Sequence, residues 1–84
     1  MVMTVMIEVM EVRPLDDYRL ELSFNTGEVR VFDTRPYLDK GIFTELKDVA
    51  YFRSVRVAFG TTTWPHEQDF GSDTLYMESI PQGR

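Results

Sequence analysis

Eighty-four residues carry 9 Lys and Arg against 14 Asp and Glu, a formal net charge of −5. That length admits one small domain, residues 1–84, and a chain that is 43% hydrophobic with 13% aromatics is too apolar for intrinsic disorder. Cysteine is absent, which excludes disulfides, thiolate nucleophiles and cysteine-based metal clusters. The acidity belongs to the two ends, because the acids and bases of residues 13–56 cancel. With no basic stripe to neutralise phosphates, direct nucleic-acid binding is not expected.

Val5, Ile7 and Val9 alternate with Met6, Glu8 and Met10. This predicts a strand over residues 5–12 with apolar side chains on both faces, either central in a sheet or paired with a second copy in a homodimer. No basic residue precedes it and Glu8 and Glu11 interrupt it, so neither a signal peptide nor a membrane span is expected, and the expected location is cytoplasmic.

Arg13-Pro14-Leu15-Asp16-Asp17 reads as a turn. Tyr18, Leu20, Leu22 and Phe24 then alternate with Arg19, Glu21 and Ser23, and after Asn25-Thr26-Gly27 the chain returns through residues 28–32. Residues 18–33 are therefore a predicted hairpin with Gly27 at a positive φ. A bulge there places Phe32 on the Phe24 face and Val29 and Val31 on the other.

Pro36-Tyr37-Leu38 predicts a helical turn, Gly41 a further turn, and Asp48 the N-cap of a short helix over residues 49–53. Val55, Val57 and Phe59 predict a strand, Gly60 a turn, and Thr61-Thr62-Thr63-Trp64 a strand stopped by Pro65. Residues 69–72 read as loop, Ser72 or Asp73 as the cap of a turn through Tyr76, and residues 79–84 as a frayed tail. The expected fold class is α+β, a small, mainly antiparallel sheet of four to five strands with one or two short helices.

Few residues offer chemistry. His66, Glu67 and Asp69, with Asp73 close behind, are candidate ligands for a divalent metal. They lack a recognised ligand spacing, so a solvated acidic loop is the simpler reading, and no metal or other cofactor is assigned. Asp16, Asp17 and Asp33 suit turns and a pairing with Arg35 better than paired acid–base catalysis. Ser54 and Ser72 lack the surroundings of a nucleophile, although His66 is a nominal base. No catalytic residue is assigned. Trp64, Asp69, Asp73 and Tyr76 are a candidate partner or ligand surface, while Phe70 suits the core.

Several motifs occur in a telling order. They are residues 13–20, Phe24-Asn25-Thr26-Gly27-Glu28, Phe32-Asp33, Pro36-Tyr37-Leu38, residues 41–48, Tyr51-Phe52 and Val55. Thr63-Trp64-Pro65, Asp69-Phe70 and Asp73-Thr74-Leu75-Tyr76 follow. The set resembles the bacterial Domain of Unknown Function 2442 family over residues 5–78. The resemblance implies a small α+β fold and no established catalytic activity. Members of that family stand alone or are fused to a helix-turn-helix domain, for which these 84 residues leave no room. Many are encoded beside another small protein in a toxin–antitoxin-like arrangement. The sequence departs from the family pattern at His66-Glu67, where an Asn-Gly-like turn is usual. Two functions are expected to compete: a non-catalytic protein-interaction module, the antitoxin-like partner of a small, toxin-like neighbour, and a small-ligand or metal-binding sensor centred on Trp64 and Tyr76.

Overall fold

A computed structural model describes residues 6–82. Strands β1 (Val9–Pro14), β2 (Arg19–Phe24) and β3 (Val29–Asp33) form an antiparallel meander, and β7 (Ile80–Pro81) completes the sheet in the order β1-β2-β3-β7. Strands β4 (Arg56–Ala58), β5 (Thr61–Thr63) and β6 (Asp69–Phe70) make a second antiparallel sheet. The short helices α1 (Val49–Phe52) and α2 (Ser72–Glu78), together with 3-10 turns at Asp16–Tyr18, Arg35–Tyr37 and Gly41–Lys47, complete the described chain. The α+β class holds, with the antiparallel strands divided between two sheets.

The central hairpin forms as its alternation dictates. Leu20, Leu22 and Phe24 are buried, and Phe32, opposite Leu20, joins them. Gly27, at φ 90°, closes the loop by donating its N–H to the Phe24 carbonyl at 3.0 Å. Tyr18 does not belong to β2. It sits with Asp17 in the left-handed region, and its hydroxyl bonds the Lys47 carbonyl instead.

Strand β1 departs from expectation at both ends. It begins at Val9, and Val5 lies outside the described residues. It runs on through Pro14, so the turn starts only at Leu15. It lies at the end of its sheet, not at the centre, and a bulge between Val9 and Glu11 shifts its phase by one residue. That shift sets Val9 opposite Phe24 and Val12 opposite Leu22, both on the core side, and leaves Met10 exposed. An apolar run that looked two-faced thereby buries one face.

Asp48 caps α1 as predicted, its carboxylate accepting from Ala50 N at 2.9 Å and Tyr51 N at 3.4 Å. Three expectations fail further on. Asp69 and Phe70 pair with β5 as a strand. The N-cap of α2 is Gly71, without a side-chain bond, so neither Ser72 nor Asp73 caps it. Ile80 and Pro81 add a fourth strand beside β3, and Gln82 N bonds the Val29 carbonyl at 2.8 Å, where a frayed tail was expected. The last of these depends on a strand about fifty residues upstream supplying the partner, which no local pattern records.

Phe70 joins the layers. Its ring stacks on Phe43 at 4.7 Å and meets Phe32, Tyr37 and Trp64 edge-on. Among the described residues one backbone hydrogen bond joins the two sheets, from Val9 N to the Gly60 carbonyl at 2.8 Å. Among the described residues no helix is long and apolar enough to cross a membrane.

Candidate functional site

The loop between β5 and β6 carries the lone histidine, and its backbone explains its shape. Glu67 N bonds the Trp64 carbonyl at 2.8 Å and Trp64 N bonds the Gln68 carbonyl at 3.1 Å, forming a tight turn. Glu67 stands at φ 72°, a position that suits glycine. His66-Glu67 thus supports a turn for which Asn-Gly is the easier solution.

Side chains from three segments converge behind this turn. Gln68 is buried, and its Oε1 accepts from the Tyr51 hydroxyl. Its Nε2 donates to the Ile42 carbonyl at 3.0 Å and to Glu45 Oε1 at 2.7 Å. The other Glu45 oxygen pairs with His66 Nδ1 at 2.7 Å, and His66 N donates to the Tyr51 hydroxyl at 2.9 Å. A buried amide with its polar atoms satisfied favours one packing of this region over others. Glu45 also orients the imidazole, as a carboxylate does for a metal ligand or a general base. No second group completes either chemistry: Asp69 lies on the outer face of β6 in register with Thr63 and Arg56, and Glu67 is exposed on the turn. Among the described residues no three of His, Cys, Asp and Glu are placed to hold a metal.

The candidate partner surface separates in the same way. Trp64 is in the core, 1% exposed, and its indole N–H donates to the Phe52 carbonyl at 2.9 Å. Asp69 and Asp73 are exposed. Tyr76 is half-buried and belongs to a second cluster, whose centre is Arg30.

Arg30 lies opposite Leu22 on the core side of its sheet, with only 11% of its side chain exposed. Its guanidinium donates to Ser79 Oγ at 2.7 Å, the Ser79 carbonyl at 2.8 Å and Glu28 Oε2 at 3.2 Å, and lies 4.4 Å from the centre of the Tyr76 ring. The Tyr76 hydroxyl donates to Glu28. That bond and the Thr26 hydroxyl, with Arg30 adding its charge, hold the Glu28 carboxyl below its ordinary pKa. The same bond to Glu28 raises the Tyr76 phenol above its own. On the other side of α2 the Tyr37 hydroxyl donates to Glu78, which likewise raises the Tyr37 pKa. These contacts fasten the C-terminal helix and strand to the meander. The predicted phase that turns Phe32 inward turns Arg30 inward as well, but its partners Ser79 and Tyr76 lie more than forty residues on, and nothing near Arg30 announces them.

Phe59 was read as a strand residue and is something else. With Gly60 it forms the two-residue connection between β4 and β5, at φ 54° and 77° respectively, and its side chain is fully exposed. Positive φ at both central residues is the geometry that Asn-Gly adopts readily and that a bulky side chain resists. Gly60 has its own reason for being glycine. A Cβ there would come within 3.0 Å of the Glu8 side chain.

The family described as "Protein of unknown function (DUF2442)" matches residues 9–81. The chain belongs to that family. The matched span of this DUF2442 chain runs from the first residue of β1 to the last of β7, so it takes in both sheets and the arginine clasp. Neither the curated proteins nor the solved structures contain a match to the chain.

Proposed function

We propose that this DUF2442 chain is a non-catalytic protein-interaction module, the antitoxin-like partner of a small protein encoded beside it, working in the cytoplasm. The observation that carries this reading is Phe59. A fully exposed aromatic held in a disfavoured backbone conformation at a hairpin tip costs stability and gives the isolated domain nothing in return. As an anchor that enters a pocket of a partner, the same side chain contributes binding free energy. Glu67 and Asp69 line the surface beside it with Arg56, an excess of one acid that suits a partner with a basic rim and an association that weakens with salt.

The sensor reading has less support. Trp64 is enclosed and the Tyr76 hydroxyl is already bonded to Glu28, so neither is free to receive a small ligand.

Co-expression with the product of the neighbouring gene, followed by purification on a tag carried by one partner only, tests the proposal. A stable complex and relief of growth arrest are expected, both weakened by Phe59→Asn. Absence of a complex, with growth arrest unrelieved, would overturn it.

A further inference from the structure

The turn that joins β1 to β2 faces α1 across a pocket of about 440 Å³. That volume lies within the range of small-molecule sites, roughly 300–1,000 Å³. The pocket is at the far end of β1 from Phe59. The connection that carries Phe59 meets β1 at Val9, through the Gly60 carbonyl, whereas the pocket begins at Leu15, just beyond Pro14.

Its floor is apolar and its shape is fixed. Leu15 and Tyr18 come from the turn, and Val49 and Phe52 from α1. Phe52 is buried, but Val49 is 56% exposed. Tyr18 is tied down at both its ends. Its hydroxyl donates to the Lys47 carbonyl, and its ring meets Phe52 edge-on at 5.4 Å. Its own carbonyl accepts from Thr34 N at 3.0 Å and from Thr34 Oγ1 at 2.7 Å. These contacts hold Asp17 and Tyr18 at φ 63° and 61°, two successive residues in a region that suits glycine. A pocket shaped before its ligand arrives spares the cost of ordering it.

The charges divide between the two walls. Asp16 and Asp17 stand on the turn, while Arg53 follows Val49 by one turn of α1, so that both side chains share the face lining the pocket. None of these three charged residues has an ion pair among the described residues. Arg35 feels the charge of Asp17 but is already paired with Asp33 at 2.8 Å. One wall is thus anionic, the other cationic, and the floor between them apolar.

We infer that this pocket binds a free α-amino acid with an apolar side chain. The ammonium group lies against Asp16 and Asp17, and the carboxylate against Arg53, whose planar fork can hold it by two hydrogen bonds. The side chain covers Leu15, Tyr18 and Val49 and takes apolar surface out of water. An internal segment of a partner protein lacks both terminal charges and leaves both walls unanswered. The site shares no residue with the surface around Phe59, so it and the interaction reading above can fail separately.

The test is a titration of the full chain with L-leucine, L-methionine and L-phenylalanine into the millimolar range, followed through the amide chemical shifts. Saturable shifts at residues 15–18 and 49–53 are expected with at least one of them. The amide of that amino acid lacks the carboxylate and its N-acetyl derivative lacks the ammonium, and each should bind about tenfold more weakly. Arg53→Met keeps an apolar stem and should weaken the amino acid about tenfold while leaving its amide little changed. Asp16→Asn together with Asp17→Asn should likewise weaken the amino acid and spare the N-acetyl derivative. The three positions are exposed and asparagine tolerates positive φ, so unchanged β2 amide shifts are expected in both variants. The ligand series on the unaltered protein keeps the test valid if a variant fails to fold. No saturable shift with any of the three amino acids overturns the site, as do shifts confined to other residues. Equal binding of the amino acid, its amide and its N-acetyl derivative shows an apolar contact surface only, which also overturns it. So does Arg53→Met binding the amino acid as tightly as the original chain.

Discussion

Phe59 and Glu67 are non-glycine residues at positive φ, and each tightens one connection of the small sheet. A left-handed conformation costs an ordinary residue roughly 1–2 kcal/mol, part of which glycine loses again through the freedom of its unfolded chain. Glu67→Gly should therefore raise stability by about 0.5–1 kcal/mol, read as a higher denaturation midpoint at unchanged slope. Phe59→Asn should stabilise by a similar amount, about 1 kcal/mol, because asparagine tolerates this turn position. The two substitutions part company in the binding assay: Phe59→Asn removes the anchor and should weaken the complex strongly, whereas Glu67→Gly removes one rim charge and should weaken it slightly, and only at low salt. If Phe59→Asn lowers stability, the exposed ring has a structural role and the anchor argument fails. Gln68 is the opposite kind of residue, buried and fully employed. Gln68→Leu strands the Glu45 carboxylate and the Tyr51 hydroxyl and should cost about 1–3 kcal/mol in chemical denaturation.

At the scale of elements, α2 and β7 are held by polar contacts more than by area. The helix has seven residues and buries Leu75, and β7 has two. Arg30→Met keeps the aliphatic stem but removes the bonds to Ser79 and Glu28, and should cost about 2 kcal/mol. Hydrogen exchange should locate the loss, with the Gln82 amide, bonded to Val29, losing protection before the β2 amides. The clasp also has a pH signature. Glu28 has a lowered pKa in the folded chain, so its contribution is complete above the ordinary glutamate value and disappears as pH falls through the depressed one. The Tyr37 and Tyr76 phenols have raised values, so their contribution is complete below the ordinary tyrosine value and disappears as pH climbs through the raised ones. Phenolate absorbance should show Tyr37 and Tyr76 ionising late, and Glu28→Gln should bring Tyr76 back toward normal.

The whole molecule depends on a core shared by two sheets with little direct pairing between them. Leu20, Leu22, Phe24 and Phe32 from one sheet, Phe70 from the other, and Leu38, Leu46, Phe52, Trp64 and Leu75 from the connections form one buried cluster. Phe70→Ala should therefore cost about 3–5 kcal/mol and lower the stability of both sheets in a single transition. Two separate transitions would show that the sheets are independent units.

Much of this was legible in order. The alternation at Leu20, Leu22 and Phe24, the glycine at 27 and the cap at Asp48 are local statements, and each forms where the sequence places it. The candidate site was less legible. His66 stood out by its rarity, but its partners Glu45 and Tyr51 lie 21 and 15 residues upstream, and nothing near His66 announces them. Phe59 was hidden by the alternation itself, which gives the face of a side chain only while the strand is known to continue, and Arg30 by the distance to its partners. By itself the sequence determined the class of fold, the central hairpin and the absence of cysteine chemistry, because these follow from composition and from neighbours a few residues apart. Only the tertiary structure decided that the acidic 84-residue chain splits its strands into two sheets, draws its last strand back to β3 and packs both sheets on one core. Those features are pairings between distant segments, and their energy exists only once the chain has closed on itself.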